Sequence, residues 1–415
     1  MRRPAWLALV LLPAALWPAV PLARQAPAPR VVAVGDVHGS VTGLLAILRA
    51  TDLVDGDGQW AGGATTFVQT GDITDRGADV RAVMDLLIRL TGEAPRSGGQ
   101  VVALLGNHEV MNLLGELRDV TPGICASFAV DDAAAEQRDG WRAYEALARE
   151  RARRRPGEQP AGLARTEASW KAAYPPGCLA YRRALGPDGD YGRWLRSLPI
   201  AARVGRTVFM HAGAAPDTTA SLDEVNLTAR DEIARYDRFV ARLSRARLIE
   251  PWFRLEDVLS VAAAEVRWVN GLVERARARD REPDLAGVDI DLVKEAADIV
   301  GLGRWSLLAP EGPLWYRGYA TAEDAALATP LAGLLRRWDA IRLVVGHTVV
   351  SDFHIRARLG GALFLIDTGM LTSVYRGAAS ALEIEDDTVR AIYADGATVD
   401  LPGLGAVPRP RPLAR

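Results

Sequence analysis

Short apolar runs alternate along this chain with stretches whose apolar residues recur every three or four positions, and polar residues gather where one pattern gives way to the other. Arg30–Val34 reads as a buried strand by its length and β-branching, and Val41–Leu48 follows with helical spacing. Thr65–Gln69 and Val80–Leu90 repeat the pair, and Val101–Leu105 is a third strand. Strands resume at Ala201–Val204 and Val208–Met210, then at Arg342–Val345, and Ala362–Ile366, Ala381–Ile384 and Val389–Tyr393 read as closing strands. Between these blocks lie two helical stretches, about 115–199 and 222–300, which read as insertions. The pattern is that of a layered α/β fold, in which ligands bind beyond the carboxyl ends of the strands.

Composition narrows the class. The 415 residues are 49% hydrophobic, with 50 Lys+Arg against 52 Asp+Glu. That is too apolar and too balanced for a disordered chain, and a net charge of -2 provides no basic field for nucleic acid. Two cysteines make no disulfide scaffold. Cys125 and Cys178 could pair in an oxidising compartment or remain two buried thiols, since sequence does not reveal their separation.

The N-terminus opens with Arg2-Arg3 and an Ala/Leu/Val/Pro run to Val20, which reads as a signal peptide followed by a linker to residue 29. Three prolines argue against the alternative of an uncleaved membrane anchor. Export to a bacterial periplasm or to the medium is the expectation. Residues 30–400 would form the folded domain, and the Pro/Arg-rich tail 401–415 would be disordered. Arg151–Arg155 reads as a solvated helix end, Asp55-Gly56-Asp57-Gly58 as a turn rather than a calcium loop, and His354 as a strand residue.

The chemistry sits at the strand ends. Four of the five histidines (His38, His108, His211 and His347) lie within two residues of a glycine there, together with Asp36, Asp72 and Asn107. Taken singly, an Asp in a Gly-Asp turn caps backbone and a strand-end His is hydrogen-bonded core. Taken together, oxygen and imidazole donors without thiolates suit two ions such as Mn, Fe or Zn, with hydroxide held between them as the nucleophile toward phosphate.

The motifs Gly35-Asp36-Val37-His38-Gly39, Gly71-Asp72-Ile73-Thr74-Asp75-Arg76-Gly77 and Gly106-Asn107-His108-Glu109, followed by His211-Ala212-Gly213 and Gly346-His347-Thr348, resemble those of the phosphoprotein phosphatase branch of calcineurin-like metallophosphoesterases. Asn107–Asn112 and Trp60-Ala61-Gly62-Gly63 resemble the bacterial Shewanella-like protein phosphatases more closely. The resemblance implies an α-β-β-α sandwich with mixed sheets. It also implies roles: Asp36 and His38 on one metal, Asp72 bridging, and Asn107, His211 and His347 on the other. His108 would be the general acid oriented by Asp75, and Arg76 and Arg317 would grip phosphate. The expected substrate is a phosphoprotein (Ser/Thr or Tyr) or a small phosphomonoester. A phosphodiesterase or a nucleotide or dinucleoside polyphosphate hydrolase is the alternative, and a catalytically inert binding module would need a missing ligand. Two departures stand out: Ala212 replaces the family's glycine, and the eukaryotic aromatic loop has no evident counterpart near Ile366-Asp367-Thr368-Gly369-Met370.

Overall fold

A computed structural model describes residues 30–154 and 163–403. The export segment lies outside the described residues, as does the tail from 404. Eleven strands are formed among the described residues: β1 Val31–Val34, β2 Thr66–Gln69, β3 Gln100–Ala103, β4 Ala201–Val204, β5 Thr207–Met210, β6 Arg342–Val345, β7 Arg356–Arg358, β8 Leu363–Leu365, β9 Ser380–Glu385, β10 Thr388–Tyr393 and β11 Thr398–Leu401. They make two mixed sheets, ordered β11-β10-β9-β1-β2-β3 and β4-β5-β6-β8-β7. The tail is therefore ordered through Leu401, which pairs with Val389.

Alternation of side chains decides the layering. Val31, Ala33, Val68 and Leu104 of the first sheet share one buried cluster with Phe209, Val344 and Phe364 of the second. The residues between them, Val32, Val34 and Phe67, face the opposite way and pack with Leu44, Ile47, Val83 and Leu87 of the crossover helices Val41–Ala50 and Val80–Glu93. This is a sheet-on-sheet sandwich flanked by helices.

Strand register places the functional loops. In the parallel set β1–β2–β3, Val34 pairs Gln69 and Gln69 pairs Ala103. In the second sheet Met210 pairs Val345, which pairs Leu365. Six loops thus leave the two sheets in register at strand carboxyl ends, where Asp36, Asp72, Asn107, His211, His347 and Asp367 stand one to four residues past a strand.

The first insertion folds into the helices Pro122–Ser127, Ala133–Arg154, Glu167–Ala173, Cys178–Leu185 and Asp190–Ser197, and the second into Leu222–Arg245, Leu255–Arg277 and Ile290–Val300. Aromatic packing joins them: the buried Trp170 ring lies 4.9 Å from Tyr174 and 5.6 Å from Trp252. Among the described residues no helix is long and apolar enough to cross a membrane.

Two residues depart from the sequence expectation. Arg151 is buried and ion-paired to Glu265 at 3.0 Å, because its face of the long helix packs against the second insertion. Exposed His354 lies in a bend ahead of β7 rather than in a strand, its Nδ1 2.6 Å from the Asp352 carbonyl. At Asp55 the carboxylate accepts from the amides of Asp57 and Gln59, which makes the turn expected there.

Cys125 and Cys178 are joined as a disulfide, resolving the alternative left open by the sequence. It closes a loop with a sequence separation of 53 and ties two helices of the first insertion together. A loop of that length corresponds to about 4 kcal/mol of unfolded-state entropy. Cys125→Ala/Cys178→Ala should therefore unfold about 2–4 kcal/mol more easily in a denaturant titration. An unchanged midpoint would show that the bond does not support the insertion.

Candidate metal centre

The site is built from strand ends held in unfavourable backbone. His38, Asp72, Asp75, Arg76 and His347 all have positive φ, between 46° and 71°. Left-handed non-glycine residues cost roughly 1–3 kcal/mol each and cluster where surrounding structure imposes them. In the Asp72 loop the imposing group is Glu109, fully buried on the helix Asn107–Leu114. Its Oε2 accepts from the amides of Asp72 and Gly106, both at 2.7 Å. Its Oε1 accepts from the amides of Ile73 and Thr74 and from the Thr74 hydroxyl, all at 2.8 Å. Gly106 must be glycine, since a Cβ there would lie 2.2 Å from Asp72 Oδ1.

Glu109→Gln turns one end of this clamp into a donor facing two buried amides. An unmatched buried donor costs about 1–3 kcal/mol. We expect a loss of that size in denaturant unfolding, with weakened manganese binding because Asp72 is displaced. Wild-type stability and metal affinity in Glu109→Gln would show that the loop is held by other contacts.

Around Asp72 the polar atoms converge as acceptors. Its Oδ1 is 3.4 Å from His211 Nε2, which lies 2.8 Å from Asn107 Oδ1 and 3.1 Å from His347 Nδ1. His211 Nδ1 faces the Thr70 carbonyl at 3.1 Å and must donate to it, so Nε2 holds a lone pair. The other carboxylate oxygen, Oδ2, is 3.6 Å from His38 Nε2. His38 Nδ1 likewise donates to the Thr74 carbonyl at 2.9 Å. Asp72 thus lies between two groups of ligand-type atoms, and two triads, His38/Asp72/His108 and Asp72/His211/His347, each bring their donor atoms within 4.8 Å.

The electrostatics fit the same purpose. Burial, then Asp367 and Asp72, raises the Asp36 carboxyl well above the carboxylate range. Burial pushes Asp72 up to about 7 and Asp367 up to about 6. His38 and His211 are held well below the ordinary imidazole value by burial and by neighbouring imidazoles, and burial with the Arg317 charge brings His347 to about 3. Neutral imidazoles and crowded carboxylates, buried with converging lone pairs, are the state that divalent cations require of their ligands. The residues present fit metal ions.

Beside the cluster, His108 Nδ1 is 2.7 Å from Asp75 Oδ2 while its Nε2 lies 3.8 Å from Asp72. Burial opposes charging of His108, but Asp72 and Asp75 outweigh it and hold the imidazole above its ordinary value. Asp75 is fixed in turn by Asn112, which donates to its Oδ1 at 2.9 Å. On one flank Arg76 reaches His38 Nε2 and the Tyr375 hydroxyl, so a metal on His38 requires this guanidinium to swing outward. On the other, Arg317 donates to Thr348 Oγ1 at 3.1 Å.

Three residues at the site carried no assigned role from the sequence. Glu109 is visible there only as the last letter of a motif. Asp367 stands two residues past β8, as His347 stands two past β6, and those strands are paired in register; its signal was the strand-end position alone. Tyr375 stands at this rim, its ring 5.8 Å from His38 and under Arg76 at 5.3 Å. It follows the Gly369 turn by six residues, so only the returning chain brings it to the site.

The sequence profile of calcineurin-like phosphoesterases matches residues 29–351. An uncharacterized protein of Schizosaccharomyces pombe is 27% identical over 373 residues, 88% of this chain and 80% of its own length. Shewanella-like protein phosphatase 2 of Arabidopsis thaliana is 31% identical over 190 residues, 44% of this chain and 46% of that protein. Shewanella-like protein phosphatase 1 of Plasmodium berghei is 23% identical over 372 residues, covering 88% and 74%. Among solved structures, the cold-active protein-tyrosine phosphatase of a psychrophilic Shewanella shares the fold, with a TM-score of 0.54 and 23% identity over 90% of this chain and 80% of that one.

Proposed function

The chain belongs to the calcineurin-like phosphoesterase family and is a metal-dependent phosphoesterase, and from that premise we propose that it is an exported two-metal phosphomonoesterase acting on phosphoproteins. The observation that carries the reading is Asp72, whose two carboxylate oxygens face two separate sets of ligand-type atoms beside a His–Asp pair. Asp36 and His38 would hold one ion, Asn107, His211 and His347 the other, and Asp72 both. Two ions there would supply Lewis-acid activation of the phosphate and of an attacking water.

The chain's own residues do the rest. The Asp75 carboxylate fixes the His108 tautomer with the proton on Nδ1 and stabilises the imidazolium, so Nε2–H is presented to the leaving oxygen. Arg76 and Arg317, next to His38 and to His347 respectively, clamp the phosphate from two sides. Two guanidinium groups suit a terminal dianionic phosphate better than a singly charged diester, which favours a monoester over a phosphodiester or dinucleoside polyphosphate. Relatives named protein phosphatase and protein-tyrosine phosphatase support a phosphoprotein substrate, with phosphotyrosine, phosphoserine and phosphothreonine all open to test.

The experiment is turnover by protein stripped of metal and reloaded with manganese, on phosphotyrosine and phosphoserine peptides and on a bis-aryl phosphate. Metal-dependent release of phosphate from a peptide is the expected result. Activity on the diester alone would overturn the monoesterase reading and the roles given to Arg76 and Arg317. Export is tested by sequencing the N-terminus of the native protein, where retention of Met1 on a cytosolic form would refute it.

A further inference from the structure

Behind the catalytic helix Asn107–Leu114 lies a second cavity of about 590 Å³, bounded by both helical insertions and separate from the metal centre. Its floor is apolar, with Leu113, Val240, Trp252 and Phe253, and its walls carry four arginines against two aspartates. Arg196 is paired to Asp237 at 2.7 Å, and Arg183 is engaged by Glu136. Arg182 and Arg245 are left against Asp188, one net positive charge.

Arg182 is the unusual member. It is 8% exposed, and among the described residues no carboxylate pairs with it. Its Nη1 donates to the Asn112 carbonyl at 2.6 Å, while its Nε has no hydrogen-bond partner. The Ser244 hydroxyl on the same wall is also buried without a partner. A buried cation without a counter-ion is costly, and proteins seldom keep one unless something neutralises it. Every other large positive group on this wall that is drawn inward has found its carboxylate.

We propose that this cavity binds a small organic monoanion, a carboxylate on an aryl or alkyl body, with its head on Arg182 and Ser244 and its body on the apolar floor. A single carboxylate matches the single net charge and the planar fork of a guanidinium, and it is easier to desolvate than a phosphate dianion. The volume lies within the range of small-molecule pockets, roughly 300–1,000 Å³. The site sits directly behind the general-acid pair: Arg182 holds the Asn112 carbonyl, and Asn112 holds Asp75.

The experiment is calorimetric titration of the full chain with 3-phenylpropionate and, in parallel, its neutral isostere 3-phenylpropanamide, with and without bound manganese. Saturable binding of the carboxylate and not the amide is expected, and it should persist after metal removal, which separates this site from the metal centre. Arg182→Gln should weaken it by about ten-fold or more, the effect of losing one charge-assisted contact, and the exposed rim substitution Arg245→Glu, which turns the unpaired wall charge from positive to negative, should weaken it by a similar factor through repulsion. Arg245→Glu keeps the test decisive should the buried substitution impair folding. Absence of saturable binding, equal binding of the amide, loss of binding with the metal, or full affinity in Arg245→Glu would overturn the proposal.

Discussion

His108→Asn should lower turnover of a phosphoserine peptide by about a hundred- to ten-thousand-fold, the range lost with a general acid, while metal content stays at the wild-type value. The separation is possible because His108 touches the ion-binding atoms only at its edge. Its Nε2 is 3.8 Å from Asp72, and its Nδ1 is committed to Asp75 at 2.7 Å. The loss should also depend on the leaving group. A serine alkoxide must be protonated as it departs, whereas 4-nitrophenolate leaves without help, so the deficit on the aryl ester should be much smaller. Equal deficits on both would show that His108 positions the substrate instead of donating a proton. Unchanged turnover would remove it from the mechanism.

Asp72→Asn is expected to have the larger effect. Among the described residues this side chain alone belongs to both groups, with Oδ2 toward His38 and Oδ1 toward His211. An amide presents one acceptor and one donor, so one of the two groups would meet N–H in place of a lone pair. At least one ion should be lost by elemental analysis, and turnover should fall by about a thousand-fold or more if roughly 4 kcal/mol of transition-state stabilisation goes with it. The fold should hold or even gain stability, because burial already pushes the Asp72 carboxyl up to about 7 and a neutral side chain relieves that penalty. An Asp72→Asn protein retaining both ions and full turnover would place the bridge elsewhere. A protein that fails to fold would contradict the view that Asp72 is strained for function.

Both substitutions act on a candidate site whose strand-end Asp, Asn and His residues were legible in the chain because each is tied to a local rule. A strand that ends in Gly-Asp or Gly-His must turn sharply, and its polar residue stands beyond the strand end whatever the rest of the protein does. The helical spacing of Val41–Leu48 and Val80–Leu90 and the β-branched runs between them depend only on neighbours in sequence, and the corresponding helices and strands follow within a few residues. Local rules do not reach burial that comes from afar. Arg151 looks like part of a solvated charge run, but Glu265 lies 114 positions away and draws it inward.

What the amino-acid order determined by itself is therefore which candidate donors stand at the mouths of the strands, their oxygen and imidazole types, and the absence of thiolates among them. Tertiary structure decided their mutual distances and their supporting cast. Parallel register between β6 and β8 brings Asp367 to a position matching that of His347, Glu109 receives the amides of a loop more than thirty residues upstream, and Tyr375 returns to lie on His38. The joining of Cys125 to Cys178 and the isolation of Arg182 in an apolar-floored cavity were settled in the same way. The physical reason is common to all of them. Hydrogen bonds, ion pairs and desolvation act through space over a few ångströms, and sequence separation carries no information about such distances until packing has closed the chain on itself.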